Sequence, residues 1–460
     1  MPVKKIKKNN SSGFTLIEAL VFLFIFVLIT ITFYQVFTLG TKYIIDSKNR
    51  LGAITLANER MEMVRNLSYA NIGTVNGTIS GNIPQKQDVM ENGRTYSIKT
   101  EVVYVQDPLD GVAPADVAFE DYKKVTIIVS WNSSQNGSGE VRLTSRFVPP
   151  GLEVANPGDG ILSINVFSDQ PGGTGISNST VHVVNTQTGL DTTLETDSAG
   201  SLMLMGNKVT ESIQKYEITV SKSDYETVAT MPPYPDSPYN PVNTHASVAI
   251  GSINVANIVQ NKLSNLKVKS VDYLDAAVSD IGFDIEGGKM IGTGITPPYT
   301  PVYNMKTTTS TGSGGEKDFG PASPGTYKAV VSSSALDNYE IIGTDPISPF
   351  YLSSNAPIEF KIKLASKNFT SLLVRALKNV SEEMQPVAGA KVVLTNTSGY
   401  SAEQTANADG SAFFPISADP FIAGDYTYKI TADKFKDKSS TITVNTDELK
   451  VESVTLEPNP

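Results

Sequence analysis

The residues best placed to do chemistry lie near the N-terminus, where a carboxylate interrupts a long apolar stretch. This stretch runs from Phe14 to Leu39, and Glu18 is its only charged residue. A carboxylate inside an apolar helix costs a few kcal/mol to insert into a bilayer unless it is paired. The chemistry expected of Glu18 is therefore charge pairing, in which a cation from another molecule offsets part of the cost of burial.

The segment in front of this stretch is short, polar and basic. Lys4, Lys5, Lys7 and Lys8 precede Gly13, and such a cluster keeps the N-terminal side in the cytoplasm. As a helix, residues 19–39 would be about 32 Å long, which matches the bilayer core. We therefore expect a single-pass protein of the cytoplasmic (inner) membrane with its bulk on the extracytoplasmic side.

The run from Gly13 to Glu18, Gly-Phe-Thr-Leu-Ile-Glu, resembles the class III signal of type IV prepilins. The resemblance implies that prepilin peptidase cuts between Gly13 and Phe14 and that Phe14 becomes N-methylated. It also implies that the new amine pairs with Glu18 of a neighbouring subunit during filament assembly. Many members carry a proline in mid-helix, whereas this chain has Gln35 in that region. A plain signal anchor fits the hydropathy equally well but does not explain Glu18.

A second group of chemically able residues is a carboxylate-rich loop. Its oxygen atoms are the ligands that Ca²⁺ prefers, although the spacing is not that of an EF-hand. The candidate calcium ligands are Asp107, Asp110, Asp116 and Asp121. The alternative is a solvated acidic loop, and no other cofactor is expected.

Catalysis and nucleic-acid binding are both disfavoured by composition. The chain has no cysteine and two histidines, His182 and His245, and neither histidine has a recognisable partner pattern. Nucleophile-elbow, phosphate-loop and zinc-helix motifs are absent from the sequence. The net charge of −10 repels a phosphate backbone. We expect a protein that is not an enzyme and does not bind nucleic acid strongly.

The apolar stretch predicts the start of a longer element, a helix from Phe14 to about residue 66. A proposed apolar stripe would pack this helix against the protein's own head; it consists of Leu51, Ile54, Ala57, Met61 and Val64. Alternating residues then predict strands around 94–106, 125–131 and 141–147, with Gly137-Ser138-Gly139 as a turn between the last two. A long helix on an antiparallel meander is similar to the pilin head, which assigns residues 14–150 to a pilin-like domain with its β head at 67–150.

Past residue 150 the chain contains an internal repeat. Residues 158–230 align with 368–458, including turns that end at Gly200 and Gly410. Both resemble carboxypeptidase regulatory-like (transthyretin-like, Ig-like) β-sandwiches, with Lys222 and Lys434 at the position of that family's lysine. Residues 263–365 are interpreted as a divergent copy, and the proline-rich segment 231–262 as a semi-rigid linker.

The predicted fold class is thus an α+β N-terminal pilin, a long helix packed on an antiparallel β-meander, followed by mainly-β Ig-like sandwich domains. Residues 1–13 are the leader peptide and 14–39 the membrane and filament-core helix. The predicted function is a minor structural subunit of a type IV pilus or related filament, with distal domains displayed for adhesion, tip or spacer roles. Two alternatives remain: a minor pseudopilin of a type II secretion or DNA-uptake system, and a membrane-anchored surface binding protein that never assembles.

The expected partners follow from the same resemblance. They are other pilin subunits, prepilin peptidase, the inner-membrane assembly machinery and, before assembly, membrane lipid. The sequence does not identify a surface ligand for the distal domains.

Overall fold

The computed structural model describes residues 16–107, 120–133, 137–150, 159–250, 252–419 and 421–459. Within these residues, a long helix is followed by a meander sheet and by three β-sandwiches. The predicted fold class is confirmed.

Helix α1 extends from Leu16 to Arg65 without a break. It contains no proline, so nothing in its interior removes a backbone hydrogen bond. Its N-terminal half is exposed, and its C-terminal half packs on the sheet through Ala53, Ala57, Met61 and Val64. A short 3₁₀ helix at Tyr69–Asn71 follows.

The head is an antiparallel meander with strand order β1-β2-β3-β4. Its strands are β1 (Lys86–Glu91), β2 (Arg94–Val105), β3 (Tyr122–Ser133) and β4 (Gly137–Phe147). The predicted alternation is confirmed on β2 and β3, because every second residue from Tyr96 to Val102 and from Val125 to Trp131 is buried against α1. Strand β1 has no such alternation and was not predicted.

Two sequence predictions about the head need correction. Of the predicted stripe, Ala57, Met61 and Val64 are buried as expected, but Leu51 is 65% and Ile54 39% exposed. The unpredicted Ala53 and Leu56 are buried in their place. The proposed turn residues instead form the start of β4, where Gly139 pairs with Trp131. A Cβ on Gly139 would lie 2.2 Å from the indole ring. This glycine therefore makes room for Trp131 and does not form a turn.

The first sandwich contacts the outer face of this meander. The guanidinium of Arg142 on β4 lies 2.9 Å from the Glu195 carboxylate, and the Gln85 amide donates to the Asp191 carbonyl oxygen at 2.7 Å. Ile128, whose side chain points away from α1, is 5% exposed. The head and the first sandwich are therefore joined by a packed junction.

The distal strands are divided among three sandwiches. The first region contains β5 (Ile161–Phe167), β6 (Thr180–Asn185), β7 (Leu190–Glu195), β8 (Ser201–Leu204), β9 (Ser212–Ser221), β10 (Val228–Ala229), β11 (Asn240–Pro241), β12 (Ala246–Val248) and β13 (Ile253–Val259). The second contains β14 (Ser264–Val271), β15 (Gly282–Thr293), β16 (Pro301–Ser310), β17 (Glu316–Ala322), β18 (Gly325–Val331), helix α2 (Ser333–Leu336), β19 (Tyr339–Asp345), β20 (Phe350–Leu352) and β21 (Ile358–Ser366). The third contains β22 (Ser371–Val380), β23 (Glu383–Pro386), β24 (Lys391–Thr395), β25 (Ser401–Thr405), β26 (Ser411–Phe414), β27 (Gly424–Thr431), β28 (Lys438–Val444) and β29 (Leu449–Thr455).

In each sandwich, one sheet is built around two paired central strands and the other around the first and last strands. The central pairs are β6 with β9, β15 with β18, and β24 with β27. The second sheets contain β8-β5-β13, β17-β14-β21 and β26-β22-β29. The three modules therefore share these core strand pairings, including the divergent copy. The pairings of β19 with β21 in the second sandwich and of β23 with β22 in the third are additional.

The predicted boundary at residue 230 is wrong, because the first sandwich continues to Val259. Its last strand, β13, pairs with β5 in parallel over seven positions, so residues 231–262 are not a separate linker. Within the proline-rich stretch, β11 pairs with β15 of the second sandwich. Proline-rich composition predicts extended chain, and here part of that chain bridges two modules.

Each sandwich core contains an equivalent buried tyrosine at one of its central strands. The hydroxyl groups of Tyr216, Tyr327 and Tyr426 donate to the backbone carbonyl oxygens of Thr210, Ser323 and Ile422 at 2.6–2.7 Å. A buried phenol needs such a partner. The repeated bond fixes the loop that precedes the strand.

Candidate functional site

The N-terminal half of α1 is an apolar surface left uncovered by the rest of the chain. Its large side chains between Leu16 and Ile44 are 46–83% exposed. Among the described residues, α1 is the one helix long and apolar enough to cross a membrane, and none of its most apolar window is buried. An apolar surface of this size requires lipid or other protein around it.

Four threonine side chains in this part of α1 are hydrogen-bonded within the helix itself. The hydroxyl groups of Thr30 and Thr32 donate to the carbonyl oxygens four residues earlier at 2.8 Å, and those of Thr38 and Thr41 donate to carbonyl oxygens three or four residues earlier at 2.9 Å. Such back-bonding removes the need for water. The threonines therefore do not oppose burial in lipid or in a bundle of apolar helices, a feature that the sequence analysis missed.

Glu18 lies in the first turn of α1, on an exposed part of the helix. A carboxylate in this position is favoured by the positive end of the helix dipole. Gly13 and Phe14, the predicted cleavage and methylation residues, lie outside the described residues. The structure thus places Glu18 at the tip of the apolar helix, and the roles of Gly13, Phe14 and Glu18 stay predictions.

A buried lysine of the head sheet, Lys123, contacts the segment that follows the C-terminal end of α1. The Lys123 side chain is 2% exposed, and its ammonium donates 2.8 Å hydrogen bonds to the carbonyl oxygens of Tyr69 and Ile72. It also lies 4.5 Å from the centre of the Tyr69 ring. Burial lowers the pKa of Lys123 from its ordinary value of 10.5 to about 8. This lysine joins β3 to the chain that leaves the helix.

Two of the four candidate calcium ligands are described, Asp107 and Asp121. Asp121 is buried, and its carboxylate accepts a hydrogen bond from the backbone N–H of Asp107. Asp110 and Asp116 lie outside the described residues. Among the residues that are described, no group of three or more His, Cys, Asp or Glu side chains is arranged to hold a metal ion. Calcium binding stays a prediction.

The two histidines lie on the first sandwich and have local partners. His182 Nε2 is 2.7 Å from Asp191 Oδ1, and His245 Nδ1 is 3.0 Å from Thr230 Oγ1. Burial lowers the pKa of His245. The ammonium of Lys222 donates to the Ser177 carbonyl oxygen at 2.6 Å. These contacts stabilise loops and strands of the sandwich.

Residues 8–34 match the prokaryotic N-terminal methylation motif. The chain therefore carries this motif, and the resemblance to type IV prepilins is confirmed for the N-terminal segment. The match begins at Lys8, in the basic segment, and ends at Tyr34, in the apolar half of α1. No curated protein matches the chain significantly.

Several solved structures share low similarity with the chain. The TIE protein of Bacillus anthracis is 15% identical with a TM-score of 0.19, covering 73% of this chain and 60% of its own. GBS52, the minor pilin of Streptococcus agalactiae, is 13% identical with a TM-score of 0.18; the match covers 43% of this chain and 97% of GBS52. BcpA, the major pilin subunit of Bacillus cereus, is 10% identical with a TM-score of 0.17; the match covers 65% of this chain and 100% of BcpA. This chain thus spans about three fifths of the length of the TIE protein, and TM-scores of this size support no functional conclusion.

Proposed function

We propose that the chain is a structural subunit of a type IV pilus or pilus-like filament and assembles through α1. The observation that carries this proposal is the continuity of the methylation motif at residues 8–34 with a helix whose apolar half is uncovered. A soluble protein does not leave such a surface in water. The same surface suits lipid before assembly and the helices of other subunits afterwards.

The assembly step depends on a pair of charges. Prepilin peptidase of the inner membrane cuts after Gly13, and the methylated amine of Phe14 then carries a positive charge. Glu18 of a neighbouring subunit supplies the negative partner. In a filament core without water, this pairing offsets part of the desolvation cost of both groups, so it selects correctly seated subunits.

The distal architecture favours a low-copy position in the filament. Three sandwiches follow the head, and so large an appendage is difficult to repeat at every subunit. A minor subunit instead projects the sandwiches outward, where they serve adhesion, capping of the tip or spacing.

The test compares two carboxylates of α1 in the full chain. Glu18→Gln removes the charge from the apolar half, and Glu59→Gln removes one from an exposed position near the head. Both variants are expected in the membrane fraction. Glu18→Gln should be reduced about 10-fold or more in sheared filaments, because an unpaired amine is costly to bury, whereas Glu59→Gln should match the native chain.

Three results would point elsewhere. Normal recovery of Glu18→Gln in filaments would remove the proposed role of the carboxylate. A native chain that stays in the membrane fraction, with protein secretion or DNA uptake lost on its deletion, would favour the pseudopilin. A native chain that remains in the membrane with neither process affected would indicate an anchored surface protein.

A further inference from the structure

The first and last strands of every distal sandwich lie side by side and run in the same direction. In the first sandwich, β5 pairs with β13 from Ile161↔Ile253 onward; in the second, β14 pairs with β21 from Leu266↔Ile358; in the third, β22 pairs with β29 from Ser371↔Leu449. These parallel pairs cover seven, six and seven positions. On the first strands the paired stretches begin at Ile161, Leu266 and Ser371, each 105 positions after the one before, so the arrangement is a property of the repeat.

Parallel pairing of the terminal strands determines how a pulling force acts. The chain enters a sandwich at the start of its first strand and leaves at the end of its last strand, which is the opposite end of the pair. Tension along the chain therefore slides one strand past the other and loads all the hydrogen bonds between them together. An antiparallel terminal pair would have both chain ends at one end, and tension would break its bonds one after another.

Side chains add links across two of these strand pairs. In the first sandwich, the amide of Asn165 donates to the Asn257 side-chain oxygen at 3.1 Å. In the second, the ammonium of Lys269 lies 2.8 Å from the carboxylate of Glu359. Each link joins the first strand to the last strand. Sliding one strand past the other would therefore have to break the link as well as the backbone hydrogen bonds.

The strand pairs are also connected in series with little slack. Four residues separate β13 from β14, and four separate β21 from β22. In the first connection, Gln260 is fully buried and its amide donates to the Glu226 carbonyl oxygen at 2.8 Å. The Glu226 carboxylate in turn lies 2.6 Å from the ammonium of Lys289 on the second sandwich, with both side chains largely buried. This junction therefore links the two modules through side chains as well as through the connecting chain.

The second junction is built from different residues. The ring of Tyr273 stacks on Phe369 and packs against Phe413, with ring centres 5.7 and 5.3 Å apart. The guanidinium of Arg375 lies 2.5 Å from the Glu340 carboxylate. An apolar cluster and an ion pair thus hold the second and third sandwiches together.

We infer that the three sandwiches form a load-bearing stalk in which each module resists tension through shear of its parallel terminal strands. The inference concerns the sandwiches alone and does not rest on filament assembly. It would apply equally to a chain held in a membrane by α1, so it can fail or succeed independently of the proposed function.

The test changes the direction of force on one module without changing its contacts. Because the sequence has no cysteine, introduced thiols are unique attachment points for single-molecule pulling of the full chain in detergent. Asn368→Cys with Asn459→Cys loads the third sandwich in shear. Asn368→Cys with Thr446→Cys attaches both handles at the start of β22 and β29, where the Thr370 hydroxyl accepts from the Asp447 N–H at 2.8 Å, and peels the pair apart.

Unfolding of the third sandwich is recognised by its contour-length gain, about 300 Å in the shear geometry and about 260 Å in the peeling geometry. At equal loading rate, the unfolding force in shear should be about two-fold higher or more, because seven paired positions share the load. All three substituted positions are exposed, and equal thermal midpoints of the two variants confirm that the fold is intact. Equal forces in the two geometries, or a lower force in shear, would overturn the inference.

Discussion

The hydroxyl group of Tyr96 donates a 3.1 Å hydrogen bond to the carbonyl oxygen of Asn49, one helical turn before Gly52. A Cβ at residue 52 would lie 2.7 Å from the Tyr96 hydroxyl oxygen and 3.3 Å from ring carbon Cζ. Gly52 costs about 1 kcal/mol of helix propensity relative to alanine. Its absence of a side chain lets α1 approach β2 closely, so the cost is offset by packing at the point where the helix meets the head.

Gly52→Ala should therefore destabilise the head by about 1–2 kcal/mol, because overpacking outweighs the gain in helix propensity. Trp131, the single tryptophan of the sequence, lies in the head core. Its fluorescence during denaturant unfolding measures the free energy of unfolding of the head. In a Tyr96→Phe background the cost of Gly52→Ala should be smaller, since the nearest atom is gone. A gain of about 1 kcal/mol in the native background, as at a free helix position, would contradict the proposed contact.

Two apolar residues of α1 should differ sharply in their contribution to stability. Met61 is fully buried against the sheet, and Leu51 is 65% exposed. Met61→Ala should lower the free energy of unfolding of the head by about 3 kcal/mol, whereas Leu51→Ala should change it by less than about 0.5 kcal/mol. Denaturant unfolding monitored by Trp131 fluorescence measures both free energies. Similar losses for the two variants would mean that the packed face of α1 is misassigned.

The buried tyrosine of the second sandwich should stabilise it through its hydroxyl group. Tyr327→Phe leaves the Ser323 carbonyl oxygen without its 2.7 Å partner and should cost about 1–2 kcal/mol. Hydrogen exchange of β18 amides measures this loss. Tyr351 on β20 is 62% exposed, and Tyr351→Phe is the matched control. Unchanged exchange in Tyr327→Phe would show that the bond is not stabilising.

The buried Lys123 should give the head a characteristic pH dependence. Its pKa is about 8 in the folded protein and 10.5 ordinarily. Between these values the unfolded chain binds more protons at this site than the folded chain, so its contribution to the free energy of unfolding rises with pH. The unfolding free energy of the native chain minus that of Lys123→Met should therefore increase from pH 8 to pH 10. A constant or falling difference would contradict the lowered pKa.

Strong periodic patterns allowed much of the head to be predicted from the sequence. The alternation from Tyr96 to Val102 and from Val125 to Trp131 reflects strands with one buried face. The packed face of α1 was harder to predict from the sequence. Leu51 and Ile54 continue the apolar surface of the N-terminal half, and sequence spacing alone cannot distinguish a residue that meets the head from one that extends this surface.

The distal errors have a similar physical origin. Residues 253–259 alternate weakly and follow a proline-rich stretch, so their partner, the distant strand β5, has no local signal. Gly139 reads as a turn residue because its role, space for Trp131, depends on the register of two strands. Pairing across long sequence separations was the part that the sequence could not provide. Glu18 could be singled out from the sequence because a single carboxylate in an apolar segment is conspicuous without any structure, and its role in assembly stays a prediction.

The central claim is tested most directly by mass spectrometry of the N-terminus of the native chain, purified from sheared cell-surface filaments. Cleavage after Gly13 followed by methylation predicts a first residue of N-methylated Phe14. A filament-derived chain that still begins at Met1 and carries its four leader lysines would contradict the account, because Glu18 would then have no Phe14 amine to pair with.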